Sequence, residues 1–350
     1  MSSPTVVLHI GAMKTGTSYL QSVLEQDKEL LADRGVMWPG ASWKDQRVAV
    51  QDLLASGRRA KGIESWEAFA RQLTQHRGPM SLVSMEFLSF APADVVERGM
   101  KAFANCRVRV VLTVRDLGRA IPAQWQESTQ NMHDWSYREY LDGLMSYPDQ
   151  ESKAGHHFWV RQDWAQTLRH WQPWVAPEDL VLVTLPASGG PSDMLWHRFC
   201  EAAGLDASGF DLDGFENDSL GAVSAELMRR LSAEARDRGL RPPDFQVFKR
   251  SLAKRVLAKR KKSEPSIVLP PEHQSWVEDR TRQLIDEVKS IGPVVVGDLD
   301  DLSPQWPDRP AGSELSDMDA VTDEQMLEAA IEGFFGMAVA IRRNRGENTS

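Results

Sequence analysis

Apolar residues along the chain alternate between short β-branched runs and stretches with helical spacing. The runs of strand length are 5–10, 80–85, 107–114, 180–185 and 294–296. In the segments between them, apolar residues recur every three or four positions, as on one face of a helix. Strands that are apolar throughout and alternate with helices are typical of a mainly parallel sheet covered on both faces. The pattern therefore predicts an α/β fold with a mainly parallel central sheet flanked by helices.

The helical spacing also predicts the boundaries of the remaining segments. Helices are expected from residue 17 to a C-cap glycine at 35, then over 46–57, 64–76, 92–104, from 118 onward, and over 158–171, 191–205, 223–238, 244–261, 271–290 and 323–342. Residues 145–157 are expected to form a loop and 206–219 an exposed connection. After Leu302 the composition turns to Ser, Pro, Asp and Gly. We expect one domain over 1–305 and a C-terminal extension over 306–350, with one helix and a loose tail.

One stretch carries the strongest chemical signal, because a strand, a glycine-bearing loop and a helix follow one another at 5–34. This layout presents backbone N–H groups and a helix dipole to an anion. Gly11 and Gly16 have the spacing of the nucleotide-triphosphate loop G-x-x-x-x-G-K-[ST], and Ser18 falls on its final hydroxyl position. However, Thr17 stands where that loop has lysine, and Lys14 lies three places earlier.

The resulting string G-x-x-K-T-G-T-S resembles the 5′-phosphosulfate loop of sulfotransferases that use 3′-phosphoadenosine 5′-phosphosulfate (PAPS). HIGAMKTGTSYLQ looks most like bacterial members of that family. The resemblance implies a three-layer P-loop NTPase-like fold, adenosine 3′,5′-bisphosphate as product and no requirement for metal. It implies that Lys14 balances charge, while the backbone of Thr15, Gly16 and Thr17 and the hydroxyls of Thr17 and Ser18 hold the 5′-phosphate. The alternative is an ordinary strand–helix turn with a solvated lysine.

A second element of the same resemblance follows the strand RVRVVLTV. Arg115 directly follows that strand, at the edge where open α/β sheets bind ligands. VLTVRDLGRAIPAQWQES resembles the family's 3′-phosphate element, in which an arginine is joined by a serine two helical turns later. Ala123 occupies the serine position here, so Arg119 or Gln124 is expected to compensate. The alternative for Arg115 is an ion pair with Asp116 or another neighbour.

Glu86 is the candidate general base. It directly follows the second strand, so it should share the sheet edge of the phosphate loop, and SMEFLS looks like the glutamate site of heparan-type sulfotransferases. The alternative is a helix-capping or salt-bridged glutamate. His156 or His157, in the predicted loop, could replace it, since other branches of the family use histidine. His9, inside the first strand, is expected to be a core residue with satisfied hydrogen bonds.

The resemblance implies a sulfotransferase of the heparan or carbohydrate-type branch. It would move a sulfuryl group from PAPS to a hydroxyl of a carbohydrate, glycolipid or small metabolite. Two alternatives stay open. A P-loop kinase or NTPase would need lysine at the position of Thr17 and a magnesium ion. A nucleotide-binding protein without catalysis would keep the loop and lack a working base.

Composition narrows the classes further. With 41% hydrophobic and 26% charged residues, the chain has the balance of a soluble globular protein. Its net charge of −9 argues against nucleic-acid binding driven by overall basic charge. Cys106 and Cys200, in no metal-ligand spacing, argue against a disulfide framework or a zinc site. No signal peptide or apolar stretch of membrane-spanning length is evident, which predicts a cytoplasmic protein. The oligomeric state is not predicted.

Two further features have open interpretations. Six of the twelve tryptophans lie between residues 125 and 174. Core packing is expected for most of them, while Trp125 and Trp135 are the candidates for an aromatic acceptor cleft. The run KRSLAKRVLAKRKK, 249–262, holds eight basic residues and is expected to be a solvated helix face. It could instead close over the 3′-phosphate or touch an anionic membrane surface.

Overall fold

A central sheet of six strands organises the computed structural model, which describes residues 4–55, 65–214, 219–306 and 312–347. The strands are β1 (Thr5–His9), β2 (Val36–Met37), β3 (Met80–Ser84), β4 (Arg107–Val114), β5 (Leu180–Thr184) and β7 (Val294–Val296). They lie in the order β2-β3-β1-β4-β5-β7, and every neighbouring pair is parallel. Two further short strands, β6 (Ser266–Ile267) and β8 (Glu314–Leu315), pair with each other. The predicted α/β fold with a mainly parallel sheet is confirmed.

Fourteen α-helices are found among the described residues. They are α1 (Thr17–Gln26), α2 (Lys28–Asp33), α3 (Trp43–Leu54), α4 (Trp66–Gln75), α5 (Ala93–Met100), α6 (Leu117–Thr129), α7 (Tyr137–Ser146), α8 (Lys153–Gln162), α9 (Trp164–Trp171), α10 (Met194–Ala203), α11 (Ala222–Asp237), α12 (Pro242–Val247), α13 (Gln274–Ile291) and α14 (Asp323–Glu347). Short 3-10 turns connect several of them, including Glu86–Leu88 directly after Met85.

The chain divides into two compact units. The first comprises Met1–Leu117, Val160–Phe215 and Val277–Pro304 and contains the six-stranded sheet. A hydrophobic core cluster joins strand side chains such as Val7, Leu82, Val111 and Val183 to helices α1, α2 and α10. Helices α3 and α9 pack on β3 and β4. Because the sheet is covered by helices, its strands are apolar on both faces, which explains the near-continuous hydrophobic runs in the sequence.

The second unit comprises Gly118–Trp159, Glu216–Trp276 and Gln305–Ser350. In it, α14 packs against α11 and against a π-helical segment, Phe248–Ala253, that follows α12. The sequence-based division at residue 305 stays a prediction.

Several predicted boundaries are corrected by the structure. The predicted loop 145–157 is only partly a loop, because α7 continues to Ser146 and α8 begins at Lys153. The predicted helix 244–261 is broken into α12, the π-helical segment and a 3-10 segment, Leu257–Lys262. Helix α14 continues to Glu347, beyond the predicted end at residue 342. Residues 56–57, 64, 307–311 and 348–350 of the predicted helices and extension lie outside the described residues.

Candidate functional site

The phosphate-type loop follows the central strand β1 and stays attached to its neighbour β4. Residue His9, the last of β1, is in register with Ser84 of β3 and Val111 of β4. Beyond β1, Ile10 N–H donates to Val111 O (2.9 Å) and Ala12 N–H donates to Thr113 O (2.8 Å). The first part of the loop is therefore fixed to β4 by backbone hydrogen bonds, and only the following residues turn toward α1.

A chain of buried hydrogen bonds supports the loop from behind. His9 Nδ1 lies 2.7 Å from Ser84 Oγ, and His9 Nε2 lies 3.1 Å from Thr113 Oγ1. Thr113 Oγ1 in turn lies 2.7 Å from Thr15 Oγ1, and Thr15 Oγ1 donates to Ala12 O at 2.6 Å. Burial lowers the pKa of His9 to about 3, so the imidazole is neutral and has a single N–H.

These distances leave one consistent arrangement of protons. The Thr15 hydroxyl uses its proton on a carbonyl, so Thr113 must donate to Thr15. The Thr113 proton is then used, and His9 Nε2–H must donate to Thr113. His9 Nδ1 is left to accept from the Ser84 hydroxyl. The donation therefore runs in one direction. Ser84 of β3 donates to His9 of β1, His9 donates to Thr113 of β4, and Thr113 donates to Thr15 of the loop.

Lys14, at the turn of the loop, has a left-handed backbone conformation with φ of 65°. This conformation is unfavourable for a residue with a side chain and persists where the surroundings determine it. The flanking carbonyls are both held: Gln162 Nε2 donates to Met13 O at 2.8 Å, and Arg115 Nη1 lies 3.4 Å from Lys14 O. Since C=O and N–H point in opposite directions across a trans peptide, the N–H groups of Lys14 and Thr15 are turned away from Gln162 and Arg115.

The loop ends at Gly16, which immediately precedes α1. Its φ of 79° favours glycine, and a Cβ at this position would lie 2.5 Å from Leu195 Cδ2, so a side chain here would displace Leu195. Gly16 has no side chain to cap the helix, and the first helical bond is donated by Leu20 to Gly16 O. The N–H groups of the first turn, at Thr17 and Ser18, therefore have no partner within the helix.

Thr17 supplies a buried hydroxyl at this helix terminus. Its Oγ1 makes no hydrogen bond to any of the described residues, although buried polar atoms nearly always have a partner. Ser18, the next residue, is exposed. A polar atom that is buried without a partner beside uncapped helix N–H groups fits the binding of an anion there.

Glu86 lies beside the start of the loop. A Cβ at Gly11, whose φ is 59°, would be 2.9 Å from Thr17 Oγ1 and 3.0 Å from Glu86 Cβ. Gly11, Thr17 and Glu86 therefore lie close together. Glu86 is half-buried in the 3-10 turn after β3, and its Oε2 accepts a hydrogen bond of 3.1 Å from Gln21 Nε2 of α1. The same amide donates to Ser84 O at 2.9 Å. The carboxylate is thus oriented by the helix that begins at the loop.

The first unit therefore brings together most of the residues singled out by the sequence, which are Lys14, Thr15, Gly16, Thr17, Ser18, Glu86 and Arg115. Arg119, Ala123 and Gln124 lie on the part of α6 that belongs to the second unit. Ala123 offers no hydroxyl, and Gln124 is buried with an Oε1 that has no hydrogen bond among the described residues.

The two alternative bases also belong to the second unit, and they lie on helix α8, since the predicted loop ends before them. His156 is exposed and lies 3.3 Å from the Tyr147 hydroxyl. His157 is half-buried in an aromatic cluster with His133 and Trp135, at ring-centroid distances of 4.6 and 5.5 Å.

The tryptophans are mainly structural. Trp125 is fully buried and donates from Nε1 to Trp135 O at 3.0 Å, so its assignment to an acceptor cleft was wrong. Trp135 is half-buried and stacks on His133 at 4.3 Å. Core packing is confirmed for three others, Trp159, Trp164 and Trp171. Trp174 remains partly exposed.

The basic run 249–262 is only partly solvated. Lys249 Nζ pairs with Glu127 (2.6 Å) and Asn131 (2.9 Å), and Arg260 pairs with Glu264 and Glu332. Five other cations of the run are exposed, namely Arg250, Lys254, Arg255, Lys259 and Lys262. The expectation of a single solvated helix face is wrong for the paired residues, because the broken helix turns them toward acidic neighbours within the second unit.

Two cavities do not coincide with the loop. One of about 470 Å³ is lined by residues 261–266 with Gly312 and Ser313. The other, of about 270 Å³, lies around Val36 and His76 at the amino end of the sheet. No helix in the part of the chain that the structure describes combines the length and apolar character needed to cross a bilayer.

The chain was compared with protein-family models, curated proteins and solved structures. No protein-family model matches the chain, and no curated protein matches it significantly. One match among solved structures is the crystal structure of a sulfotransferase from Alicyclobacillus acidocaldarius, which is 15% identical and has a TM-score of 0.37. That match covers 70% of this chain and 100% of the other. At this level of similarity, the function must be argued from the loop and its neighbours.

Three residues that shape the site were missed by sequence reasoning. Gln21 holds Glu86, Gln162 holds the Met13 carbonyl, and Thr113 connects His9 to the loop. The first two are glutamines inside amphipathic helices, and Thr113 is one β-branched residue in a buried strand. No local pattern distinguishes them, because each acts through residues distant in sequence.

Proposed function

We propose that this chain is a sulfotransferase that moves a sulfuryl group from PAPS to a hydroxyl group of an acceptor. The observation that carries the proposal is the position of Lys14. It lies in a left-handed conformation at the turn of a glycine-bearing loop, three residues before the buried hydroxyl of Thr17. A triphosphate loop has its lysine at the position of Thr17, where it reaches the outer phosphates. A lysine set earlier in the turn suits a donor that ends in one phosphate bearing sulfate.

The loop fits the 5′-phosphate of such a donor. The backbone of Thr15, Gly16 and Thr17 would supply N–H donors at the positive end of α1, and the Thr17 and Ser18 hydroxyls would add donors. Thr17 Oγ1 is buried and makes no hydrogen bond within the described residues, which a bound phosphate oxygen would correct. Gly11 and Gly16 keep this region clear, since a Cβ at either would approach a neighbouring side chain within 3 Å.

Two basic residues would hold the remaining charge. Lys14 would balance the negative charge that develops on the phosphate oxygen as the sulfuryl group leaves, without a divalent metal, because sulfate carries less charge than phosphate. Arg115, which follows β4 and contacts the Lys14 carbonyl, would bind the 3′-phosphate of the nucleotide. The contact between Arg115 and the Lys14 carbonyl would also keep the loop in the conformation that Lys14 needs.

Glu86 would act as general base. It lies next to Gly11 and Thr17, and the hydrogen bond from Gln21 fixes one of its oxygens. The bound PAPS would present a sulfur atom that is bonded to an oxygen of its 5′-phosphate, and this phosphate is the leaving group. Glu86 would take the proton of the acceptor hydroxyl as the acceptor oxygen forms its bond to sulfur and the bond from sulfur to the phosphate oxygen breaks. The products are the sulfate ester, adenosine 3′,5′-bisphosphate and protonated Glu86, which loses its proton to water.

The acceptor class remains a hydroxyl-bearing small molecule, sugar or glycolipid. The direct test incubates the full chain with sulfur-35-labelled PAPS and three acceptors, namely a phenol, a desulfated heparan oligosaccharide and a galactolipid. Label is expected in at least one acceptor without added metal. Glu86→Gln is expected to lower transfer by roughly 10²-fold or more while leaving adenosine 3′,5′-bisphosphate affinity unchanged. The matched control is Glu97→Gln, an exposed glutamate paired with Lys101 on the same unit.

The other functions give distinct results in the same experiment. A kinase or NTPase would hydrolyse ATP with magnesium and leave PAPS intact. A binding protein without catalysis would bind adenosine 3′,5′-bisphosphate and transfer no label to any of the acceptors. Full transfer by Glu86→Gln would exclude Glu86 from the role of base and leave the donor site standing.

A further inference from the structure

Helix α14 exposes a continuous apolar stripe. Leu327, Ile331, Phe334, Phe335 and Val339 are 61%, 49%, 74%, 72% and 52% exposed, respectively. Their spacing of three and four residues places them on one side of the helix. Soluble proteins rarely leave a contiguous group of large apolar side chains in water, and such a group marks a surface that something covers.

The opposite side of α14 is already occupied. Met326 and Ala329 are buried, and Gly333 and Gly336 let the helix approach the segment that follows α12. A Cβ at Gly333 would lie 2.6 Å from Leu252 Cδ1, and one at Gly336 would lie 2.6 Å from Val256 Cγ1. The close packing of these glycines fixes the rotation of the helix within its unit. The apolar stripe therefore cannot turn inward to hide itself.

The stripe is symmetric along the helix and opposite in charge at its two ends. Reading outward from the middle, Ile331 is followed by Leu327 and Glu324 in one direction, and Phe335 by Val339 and Arg342 in the other. The steps are four and three residues on each side, and both Glu324 and Arg342 are exposed. A helix with this pattern is complementary to a second copy of itself that runs antiparallel. Each glutamate then meets an arginine, and the two apolar stripes cover each other.

From this pattern we propose that the chain forms a homodimer through the exposed stripe of α14. The two helices run antiparallel, and the two-fold axis passes between the stripes at the level of Gly333. In this register Glu324 of one copy lies beside Arg342 of the other, Leu327 beside Val339, and Ile331 beside Phe335. Phe334 of both copies lies next to the axis. An anionic membrane surface is a poorer partner, because Glu324 and Glu328 are exposed on the same helix and would be repelled by it.

The dimer is tested by sedimentation velocity of the full chain over a range of concentrations. Wild type is expected to sediment as a dimer at micromolar concentration. The double variant Ile331→Gln/Phe335→Gln should raise the dimer dissociation constant by roughly 100-fold or more, since both helices lose their central contacts. The control is Val247→Gln, which changes an exposed apolar residue of α12 in the same unit and should leave the dimer intact.

A charge exchange tests the antiparallel direction. Glu324→Arg places two arginines together at each end and should weaken the dimer, by an amount that shrinks at high salt. Adding Arg342→Glu to that variant restores opposite charges and should restore the wild-type dissociation constant. A monomeric wild type at 100 µM, an equal loss in the Val247→Gln control, or no rescue by the second exchange overturns the proposal. So does binding of a monomer to phosphatidylserine vesicles that Ile331→Gln/Phe335→Gln abolishes.

Discussion

Gln21 Nε2 lies 3.1 Å from Glu86 Oε2 and donates a hydrogen bond to it. The bond joins the helix that begins at the phosphate-type loop to the carboxylate proposed as base. Gln21 is itself buried, and its amide also holds the Ser84 carbonyl at the end of β3. The position of the carboxylate is therefore set by the same helix whose first turn faces the loop.

Removal of this hydrogen bond should affect turnover more than nucleotide binding. We expect Gln21→Leu to lower kcat for sulfate transfer roughly 10-fold, since hydrogen bonds to charged groups contribute about 1.5–3 kcal/mol. Adenosine 3′,5′-bisphosphate affinity, measured by calorimetry, should change less than about 2-fold. The control is Gln26→Leu, which removes an exposed hydrogen bond to Asp211 from the same helix and should leave both quantities unchanged. Equal effects of the two variants would contradict the assignment.

The hydroxyl of Thr113 should contribute both to the stability of the fold and to nucleotide binding by the loop. Thr113→Val leaves His9 Nε2–H without an acceptor and Thr15 without a donor, which we expect to lower the free energy of unfolding by about 1–3 kcal/mol. It should also weaken adenosine 3′,5′-bisphosphate binding roughly 10-fold, because a difference of about 1.4 kcal/mol in loop stability corresponds to that factor. Thr113→Ser keeps the hydroxyl and should bind normally.

The matched control for Thr113 is Ser81, which lies near the amino end of its strand, whereas Thr113 lies near the carboxyl end of β4. Ser81 is buried in β3 and donates to Leu73 O at 3.0 Å. Ser81→Ala should destabilise the chain without changing nucleotide affinity. If Thr113→Val binds the nucleotide as tightly as Ser81→Ala does, the hydrogen-bond chain has no part in shaping the loop.

Stability should depend on the protonation of His9. Burial lowers its pKa from 6.5 to about 3, so below pH 6.5 the unfolded chain binds a proton that the folded chain does not. The free energy of unfolding is therefore highest above pH 6.5 and falls as the pH decreases toward 3, by about 1.4 kcal/mol per pH unit from this residue. Urea unfolding at pH 7.5, 6.0 and 5.0 should show a smaller loss for His9→Gln than for wild type. Parallel pH profiles for the two proteins would be inconsistent with a neutral, buried His9.

Substitution by alanine should lower the free energy of unfolding more at Gly16 than at Gly189, a glycine with a similar backbone conformation. Gly16 and Gly189 have φ of 79° and 86°, but only Gly16 has a neighbour, Leu195, within contact distance. Gly189→Ala should lower the free energy of unfolding by about 1 kcal/mol, the cost of a left-handed residue with a side chain. Gly16→Ala should lower it further by steric overlap, and the excess should largely disappear in a Leu195→Ala background. Equal losses in all three measurements would refute the close packing.

Much of the fold could be predicted from the sequence because the relevant signals are local. The strand 107–114 is a buried β-branched run and has the predicted bounds. The loop was located because Gly11 and Gly16 bracket a strand-to-helix transition, and both have positive φ in the structure. Lys14 was singled out by its position in the string, but its left-handed conformation depends on hydrogen bonds from distant residues.

The wrong predictions share a different cause. Residues 153–157 look like a loop, yet α8 begins there because Gly143 and Gly155 allow α7 and α8 to pack closely. A Cβ at Gly155 would overlap the Gly143 carbonyl of α7, and a Cβ at Gly143 would overlap the Ser152 hydroxyl, directly before α8. Trp125 looked like a cleft residue, but a carbonyl ten residues later satisfies its N–H, which allows full burial. In each case tertiary contacts outweigh the local composition, and a single sequence does not contain them.

The central claim is that Lys14 and the start of α1 bind a nucleotide with a 5′-phosphate of sulfotransferase type. Isothermal titration of the full chain with adenosine 3′,5′-bisphosphate tests it most directly, with Lys28→Met as the control lysine because Lys28 lies on α2 and bonds the Gly40 carbonyl. We expect micromolar binding by wild type and Lys28→Met, roughly 10-fold or greater weakening in Lys14→Met, and no comparable binding of ATP with magnesium. Binding of ATP with magnesium in preference to the bisphosphate, or equal affinities in all three proteins, would contradict the account.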